Sequence, residues 1–125
     1  MGRIVEKNRK DWDSFAGEWD RRNHCKTVLS PVLKDPAKAF HPVLWSWLSD
    51  RFADWDKRTV CVPSSGDNLA VFAFALLGAR VVSCDISQNQ LDYARQIAVR
   101  EGFDASISWV CTDTMTLDGV LDGAF

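Results

Sequence analysis

The sequence predicts an α/β fold with a parallel sheet over residues 58–125. Three short apolar segments rich in β-branched residues, Thr59–Val62, Arg80–Cys84 and Ser106–Cys111, alternate with two helical segments. Each apolar segment is almost continuous, which is typical of strands that crossover helices bury on both faces. The strand–helix–strand–helix–strand order then favours parallel pairing through right-handed crossovers.

Both helical segments in this zone have recognisable ends. The first runs from Asn68 to Leu77, and Gly78 stands just past its end. The second begins at Ser87, which forms a capping box with Gln90 three residues later, and runs to about Glu101. Apolar residues at helical spacing give each helix a buried face: Leu69, Phe72, Ala73 and Leu76 in the first, and Leu91, Ala94, Ile97 and Ala98 in the second.

Residues 1–57 predict a helical N-terminal cap, and this zone holds five of the six tryptophans. Pro31 and Pro36 predict an irregular connector over Ser30–His41, and Pro42 opens a further helix. We expect the aromatic side chains to pack in the core, with closure of the first two tryptophans over a ligand as the alternative. The expected buried faces are Trp12, Phe15, Ala16 and Trp19 in the first helix, and Val43, Leu44, Trp47, Leu48 and Phe52 in the next.

Composition excludes several classes of protein. A chain of 125 residues with 46% hydrophobic content supports one domain at most. Its net charge of -2 leaves no broad basic surface, so we expect no nucleic-acid partner. The apolar runs are too short to cross a bilayer and the first residues too polar for a secretory signal, so we expect no membrane partner and a cytoplasmic location. Four cysteines without CxxC spacing favour reduced thiols over a metal or disulfide framework.

The predicted sheet carries a candidate adenosine site. Gly66 lets a ligand approach the backbone of its turn closely, and Asp85 follows 19 residues later at the end of the next strand. A carboxylate there accepts hydrogen bonds from both ribose hydroxyls of a nucleoside. Asp113 is placed to meet an adenine, which Ile86 and Met115 would sandwich. Ligands in such sheets bind beyond the carboxyl ends of the strands, here Pro63–Asn68, Asp85–Ser87 and Thr112–Met115.

The same turn distinguishes between adenosine cofactors. NAD requires a G-x-G-x-x-G turn, whereas this turn has one glycine and puts Asp67 where a diphosphate would lie. The carboxylate of Asp67 and a diphosphate bound beside it would repel each other by ~1 kcal/mol or more. S-adenosylmethionine carries a sulfonium and an ammonium, and an acidic turn lined by serines suits these cations better. A second role for Asp67, which we favour, is to cap the following helix.

The runs Val60–Asn68, Leu77–Ser87 and Gln90-Leu91 resemble the class I S-adenosylmethionine-dependent methyltransferases, in a bacterial branch whose cofactor turn reads Ser-Gly-Asp-Asn. The resemblance covers residues 58–125, and the first zone is loosely similar to the helical cap of that branch. It implies a Rossmann-like sheet, S-adenosylmethionine as cofactor and transfer of a methyl group. The cofactor-binding residues that it implies are Pro63, Ser64, Ser65 and Gly66 beside the methionine end, Asp85 and Ile86 at the ribose and base, and Asp113 and Thr114 at the adenine.

The sequence departs from the usual turn of this family at three positions. Val62 replaces an acidic residue, Ser64 the first glycine and Asn68 the third, so that only Gly66 remains. The acidic residue of the second strand, Asp85, keeps its spacing. The resemblance therefore implies a cofactor site of the same kind, built on an altered turn.

The segment Leu121–Phe125 resembles the approach to a fourth strand, which in this family pairs with the first. We therefore expect an N-terminal portion of a methyltransferase that is inactive by itself, with a small-molecule acceptor and no assignable catalytic residue. Thr59–Val62 is then an exposed edge that can pair with a second copy. Two other functions stay open: a non-catalytic assembly module that pairs through this strand, and half of an NAD-binding oxidoreductase.

Overall fold

The computed structural model describes residues 2–23, 26–66 and 68–117. Short 3-10 helices occur at Pro36–Ala39, Trp55–Lys57 and Asp104–Ser106. The predicted alternation of strands and helices over residues 59–111 is confirmed. The main elements are the helices α1 (Arg3–Asn23), α2 (Lys26–Lys34), α3 (Pro42–Arg51), α4 (Leu69–Leu76) and α5 (Gln88–Glu101), and the strands β1 (Thr59–Val62), β2 (Arg80–Asp85) and β3 (Ile107–Cys111).

The three strands form a parallel sheet in the order β1-β2-β3, which confirms the predicted α/β class and pairing. Val60 lies opposite Val81, and Val81 lies opposite Ile107. Right-handed crossovers between consecutive neighbours place α4 and α5 on one face of the sheet. Phe72 of α4 meets Phe103 edge-on beneath this face, with ring centroids 5.6 Å apart. Burial of each such side chain stabilises the fold by about 1.5–3 kcal/mol.

The opposite face of the sheet is less covered than the sequence predicts. Side chains alternate between the two faces along a strand, so Cys61, Val82 and Ser108 share the face away from the core. Cys61 and Val82 are partly buried and Ser108 is exposed. Cys84 on the same face is fully buried. On the face towards α4 and α5, Val81 and Ile107 are buried, whereas Val60 and Trp109 are partly buried. Within the described residues neither face is buried throughout, so burial of the strands on both faces is only partly observed.

Helix α1 forms as predicted but presents a different face to the protein. Phe15 is 58% exposed and Trp12 is also exposed, whereas Ala16 is fully buried. The side chain of Trp19 lies outside the described residues. Gly17 faces α5, where a Cβ atom would meet the Tyr93 hydroxyl at 3.0 Å. The small residues let α1 pack closely against α5, and this contact outweighs burial of the larger aromatic face.

The connector predicted as irregular is largely helical. Helix α2 continues through Pro31, and the 3-10 helix Pro36–Ala39 follows it. Leu29 and Val32 of α2 are buried where this helix packs against α4, and that burial offsets the hydrogen bond that the proline cannot make. A periodic apolar face in this segment thus decides its structure despite the helix-breaking residue.

The predicted stripe of α3 is only half correct. Leu48 and Phe52 pack against the core cluster, which also contains the buried Trp55. Val43 is 72% exposed, and Leu44 and Trp47 are also exposed. Among the described residues, Leu48 connects the helix to the core cluster and Trp45 stacks on Phe40, whereas the predicted stripe in the first turn faces outward.

The helix ends of the sheet region follow the sequence closely. Asn68, which the sequence analysis made the first residue of the helix, is the N-cap of α4, since its side-chain oxygen accepts a hydrogen bond from the Ala70 amide at 2.9 Å. Ser87 caps α5 through the Gln90 amide, which is one half of the predicted capping box. The reciprocal bond is absent from the described residues, because the Ser87 amide donates to Asp85 Oδ1 instead of to the Gln90 side chain. The role suggested for Asp67 and the strand suggested near residues 121–125 lie outside the described residues.

Candidate functional site

The three segments beyond the carboxyl ends of the strands meet in the structure through three hydrogen bonds. The Gly66 amide donates to Asp85 Oδ2 at 2.7 Å, which joins the turn after β1 to the end of β2. The Thr112 amide donates to the Asp85 carbonyl at 2.9 Å. The hydroxyls of Ser64 and Thr114 lie 2.6 Å apart, which joins the first segment to the third. These contacts bring together residues that are up to 50 positions apart in the chain.

The Asp85 carboxylate is the centre of this arrangement. It is 9% exposed, and each of its oxygens accepts one backbone amide: Gly66 donates to Oδ2, and Ser87 donates to Oδ1 at 2.8 Å. A carboxylate oxygen has two lone pairs, so each one retains a free acceptor direction. The N-terminus of α5 lies directly beside the carboxylate and favours its negative charge.

The turn between β1 and α4 adopts two left-handed residues. Ser64 has a φ of 50° and Gly66 a φ of 51°. This conformation costs a serine about 1–2 kcal/mol, so Ser64 holds a backbone conformation that glycine usually supplies. Such strain persists where the surroundings hold it, and it concentrates at functional sites.

The missing Cβ of Gly66 leaves a small space between two oxygen atoms. A Cβ built there lies 3.7 Å from Asp85 Oδ2 and 3.9 Å from Gln90 Oε1. Gly66 itself is partly exposed, whereas the side chains of Asp85 and Gln90 are buried. We call the space bordered by Gly66, Asp85 and Gln90 the glycine cradle.

Ser65 faces the sheet rather than the glycine cradle. Its hydroxyl lies 2.7 Å from the Ser83 hydroxyl, and its amide donates to the Cys84 carbonyl at 2.8 Å. The side chain is buried, whereas Pro63 and Ser64 on the same turn are exposed. Among the serines predicted to line the ligand, Ser64 is thus the one with an exposed side chain, and Ser65 fastens the turn.

The segment after β3 forms a turn of its own. Asp113 Oδ1 accepts a hydrogen bond from the Met115 amide at 2.9 Å, so this carboxylate organises its own loop. Met115 is 89% exposed, and its side chain packs against little of the protein. Ile86 is partly buried. The sandwich of Ile86 and Met115 around a base stays a prediction.

Gln90 is a polar side chain of the site that the sequence analysis used only as a capping residue. It is 2% exposed, and its Oε1 atom has no hydrogen-bond partner among the described residues. The sequence places Gln90 in the first turn of α5, shortly after Asp85, and this position was the feature that could have indicated a role in the site. In a capping box the side chain at this position reaches back to the N-cap amide, so the pattern favoured a merely local role.

Asp13 of α1 is the second residue that the sequence analysis missed. Its carboxylate accepts a short hydrogen bond from the Ser87 hydroxyl and a longer one, 3.4 Å, from the Asn89 amide. Asn89 also donates to the Asp13 carbonyl at 3.2 Å. Asp13 therefore fastens α1 to the N-terminus of α5, beside the site, although 74 residues separate it from Ser87.

Burial controls the chemistry of the thiol next to the site. Desolvation, together with smaller effects of the neighbouring Cys61 thiol and the Asp85 charge, raises the pKa of Cys84 to about 12. Cys84 is thus neutral at physiological pH. Among the described residues there is no group of three or more His, Cys, Asp or Glu side chains arranged to hold a metal.

Comparisons with known proteins do not identify the chain. No protein-family model matches it, and no curated protein matches it either. Within the part of the chain that the structure describes, none of the helices has both the length and the apolar character needed to cross a bilayer.

Proposed function

We propose that this chain binds S-adenosylmethionine at the carboxyl end of its sheet, as part of a methyltransferase with a small-molecule acceptor. The observation that carries the proposal is the glycine cradle. Beside Gly66, whose lack of a side chain lets a ligand approach the backbone closely, lie a buried carboxylate and an amide oxygen without a partner among the described residues. A ribose diol offers two hydrogen-bond donors to such a pair of acceptors.

The chemistry of the described residues fits this ligand. Asp85 has free acceptor directions beyond its two backbone amides, and Gly66 leaves room for close approach. Ser64 and Thr114, joined by their hydroxyls, border the same end of the sheet. When bound, the cofactor supplies a methyl group activated by its sulfonium.

The contribution of the chain in this proposal is binding and orientation. Methyl transfer depends largely on aligning donor and acceptor. In this proposal the residues at the carboxyl end of the sheet hold the donor in position. The Rossmann-like identity of the fold and the cytoplasmic location belong to the same proposal. The small-molecule acceptor is favoured because the net charge of -2 provides no basic surface for nucleic acid.

Calorimetric titration with S-adenosylhomocysteine tests the proposal, with Gly66→Ala as the variant. The added methyl group meets protein atoms only at 3.7 Å or more, so the fold accommodates it at a backbone cost of about 1–2 kcal/mol. The same methyl group fills the cradle, so we expect the variant to stay folded and to lose measurable binding.

Gly102→Ala is the matched control. Gly102 also has a left-handed φ, 86°, and a Cβ there meets nothing within 4 Å. It therefore carries similar backbone strain without touching the site, and we expect its binding to equal that of the unmodified chain. A folded chain that does not bind S-adenosylhomocysteine contradicts the proposal, and binding of NADH in its place supports the oxidoreductase alternative.

A second function is favoured by the free edge of β1. In the described residues β1 has β2 as its single neighbour, and a cavity of about 570 Å³ lies beside it. Phe52, Trp55 and Phe74 contribute apolar surface to that cavity. An assembly module that pairs through this edge predicts concentration-dependent association in sedimentation experiments. A monomer at every concentration tested argues against it.

A further inference from the structure

Helix α1 carries an apolar face that the rest of the described chain leaves largely exposed. Ile4 is 77% exposed, Phe15 58% and Trp12 45%. Successive residues of an α-helix turn by about 100° around its axis, so these three side chains occupy an arc of roughly 80° on one side of α1. The helix meets α5 through other residues, among them Asp13 and the buried Ala16. Aromatic side chains gathered on one exposed face are typical of a contact with another molecule.

One flank of this face carries opposite charges at its two ends. Lys7 and Glu18 are exposed and lie about three helical turns apart, so they stand on the same side of the axis. Asp11 lies between them and forms an ion pair with Lys7 at 2.8 Å. The sequence of the helix shows a similar division: residues 3–10 hold four basic residues and one acidic residue, whereas residues 11–20 hold four acidic and no basic ones, before Arg21 and Arg22.

These charges match a second copy of α1 that runs in the opposite direction. In an antiparallel pair related by a twofold axis, the same flanks face each other, and a residue on one side of the axis meets the residue equally far beyond it on the other helix. With the axis between Trp12 and Asp13, Lys7 of each copy lies level with Glu18 of the other, and Phe15 lies close to the centre. A parallel pair would instead put like charges side by side. The flank therefore favours the antiparallel arrangement.

We propose that the exposed apolar face of α1 binds the same face of a second copy of this chain, with the two helices antiparallel. Removal of Trp12 and Phe15 from water drives the association, and the charged flank selects the direction. The two copies of Asp11 approach each other near the axis, where Lys7 of each copy offsets the charge. This contact goes beyond the proposed function and does not depend on a cofactor. It also uses a different surface from the free edge of β1.

Phe15→Gln tests the apolar contact, and Val99→Gln on α5 is its matched control. Both side chains are 58% exposed, so neither substitution removes a buried group, and glutamine is a good helix former. We expect sedimentation equilibrium to show a dimer of the unmodified chain as its concentration rises. Phe15→Gln is expected to raise the dissociation constant about a hundredfold, because each dimer loses two aromatic side chains from the contact. Val99→Gln is expected to leave the dissociation constant unchanged.

Two charge reversals test the direction of the helices. Lys7→Glu puts acidic side chains level with each other at both ends of the dimer, and Glu18→Lys does the same with basic ones. Each variant alone is expected to associate about tenfold more weakly than the unmodified chain. An equimolar mixture of the two variants restores both attractive pairs, so we expect it to form a dimer of one copy of each with the original affinity. Circular dichroism of each variant verifies that its helical content is unchanged.

Three results would overturn this inference. A chain that stays monomeric at every concentration has no such contact. Association that Phe15→Gln leaves unchanged belongs to another surface, such as the free edge of β1. A mixture of the two charge variants that associates no better than its components excludes the antiparallel pairing. Titration with S-adenosylhomocysteine tests the proposed function separately, because none of the substituted residues lies at the carboxyl end of the sheet.

Discussion

Replacing Asp85 by asparagine is expected to loosen the carboxyl end of the sheet. The carboxylate accepts two backbone amides with different oxygens, from Gly66 at 2.7 Å and from Ser87 at 2.8 Å. An asparagine side chain has one oxygen and one NH2 group. One of the two backbone amides therefore faces another donor, whichever way the side chain is turned.

The magnitude of this effect follows from those two hydrogen bonds. A hydrogen bond to a charged group contributes about 1.5–3 kcal/mol, and a neutral one about 0.5–1.5 kcal/mol. The variant loses one charged bond and weakens the other, and water has little access because Asp85 is buried. The free energy of unfolding is expected to fall by about 2–4 kcal/mol. For a chain of this size that lowers the melting temperature by roughly 10 °C.

Asp113→Asn is the matched control for this experiment. Asp113 also lies beyond the carboxyl end of a strand, but its Oδ1 accepts a single bond, from the Met115 amide at 2.9 Å. The oxygen of asparagine preserves that bond, so the change in stability is expected to stay within about 0.5 kcal/mol. Thermal and urea unfolding of both variants, followed by circular dichroism, give the comparison.

Two results would refute the reasoning. An Asp85→Asn variant as stable as the unmodified chain would show that the two amides do not depend on the carboxylate. Equal losses in the two variants would show that the effect comes from charge at this edge rather than from the pair of hydrogen bonds.

The remaining predictions concern the docking of α1 and the buried thiol. Asp13→Ala removes the acceptor of the Ser87 hydroxyl, and we expect a loss of about 1–2 kcal/mol together with faster amide hydrogen exchange along α1. Gly17→Ala brings a methyl group within 3.0 Å of the Tyr93 hydroxyl and should also speed exchange in α1, and unchanged exchange in both variants would contradict this packing. Burial raises the pKa of Cys84 to about 12, whereas an unfolded thiol ionises near about 8.5. The contribution of the neutral thiol to the free energy of unfolding is therefore present below the unfolded-state pKa and is lost as the pH rises towards 12. In urea titrations at alkaline pH, the free energy of unfolding of a Cys84→Val variant should fall less steeply with pH.

Local patterns were sufficient for the elements of the sheet region. The near-continuous apolar segments predict β1, β2 and β3, and the capping box at Ser87 predicts the start of α5. Each of these signals lies within a few neighbouring residues, where backbone preference and side-chain periodicity act directly. The order of strands in the sheet then follows the tendency of consecutive strands to lie side by side, and the handedness of the crossovers places both helices on one face. The spacing of Gly66 and Asp85 placed them at the same edge for the same reason.

The packing of the N-terminal helices was decided by contacts between distant parts of the chain. Periodicity in α1 favoured burial of Trp12 and Phe15, but the helix packs on α5 through small residues and Asp13. Helix α2 passes through Pro31 because burial against α4 outweighs a local penalty. A one-dimensional pattern shows that a helix has an apolar face, and it does not show which other surface is available to cover it.

The same distinction applies to the candidate site. Sequence spacing alone was enough to select Gly66, Asp85, Ser64 and Thr114 as residues at one end of the sheet. The roles within that end depend on side-chain direction, which turns Ser65 into the sheet and leaves Gln90 Oε1 beside the glycine cradle. Direction follows from the backbone angles of one turn and from packing on both sides of it. The direction of a side chain is therefore decided only when the chain folds, because it depends on contacts between residues and not on the identity of one residue.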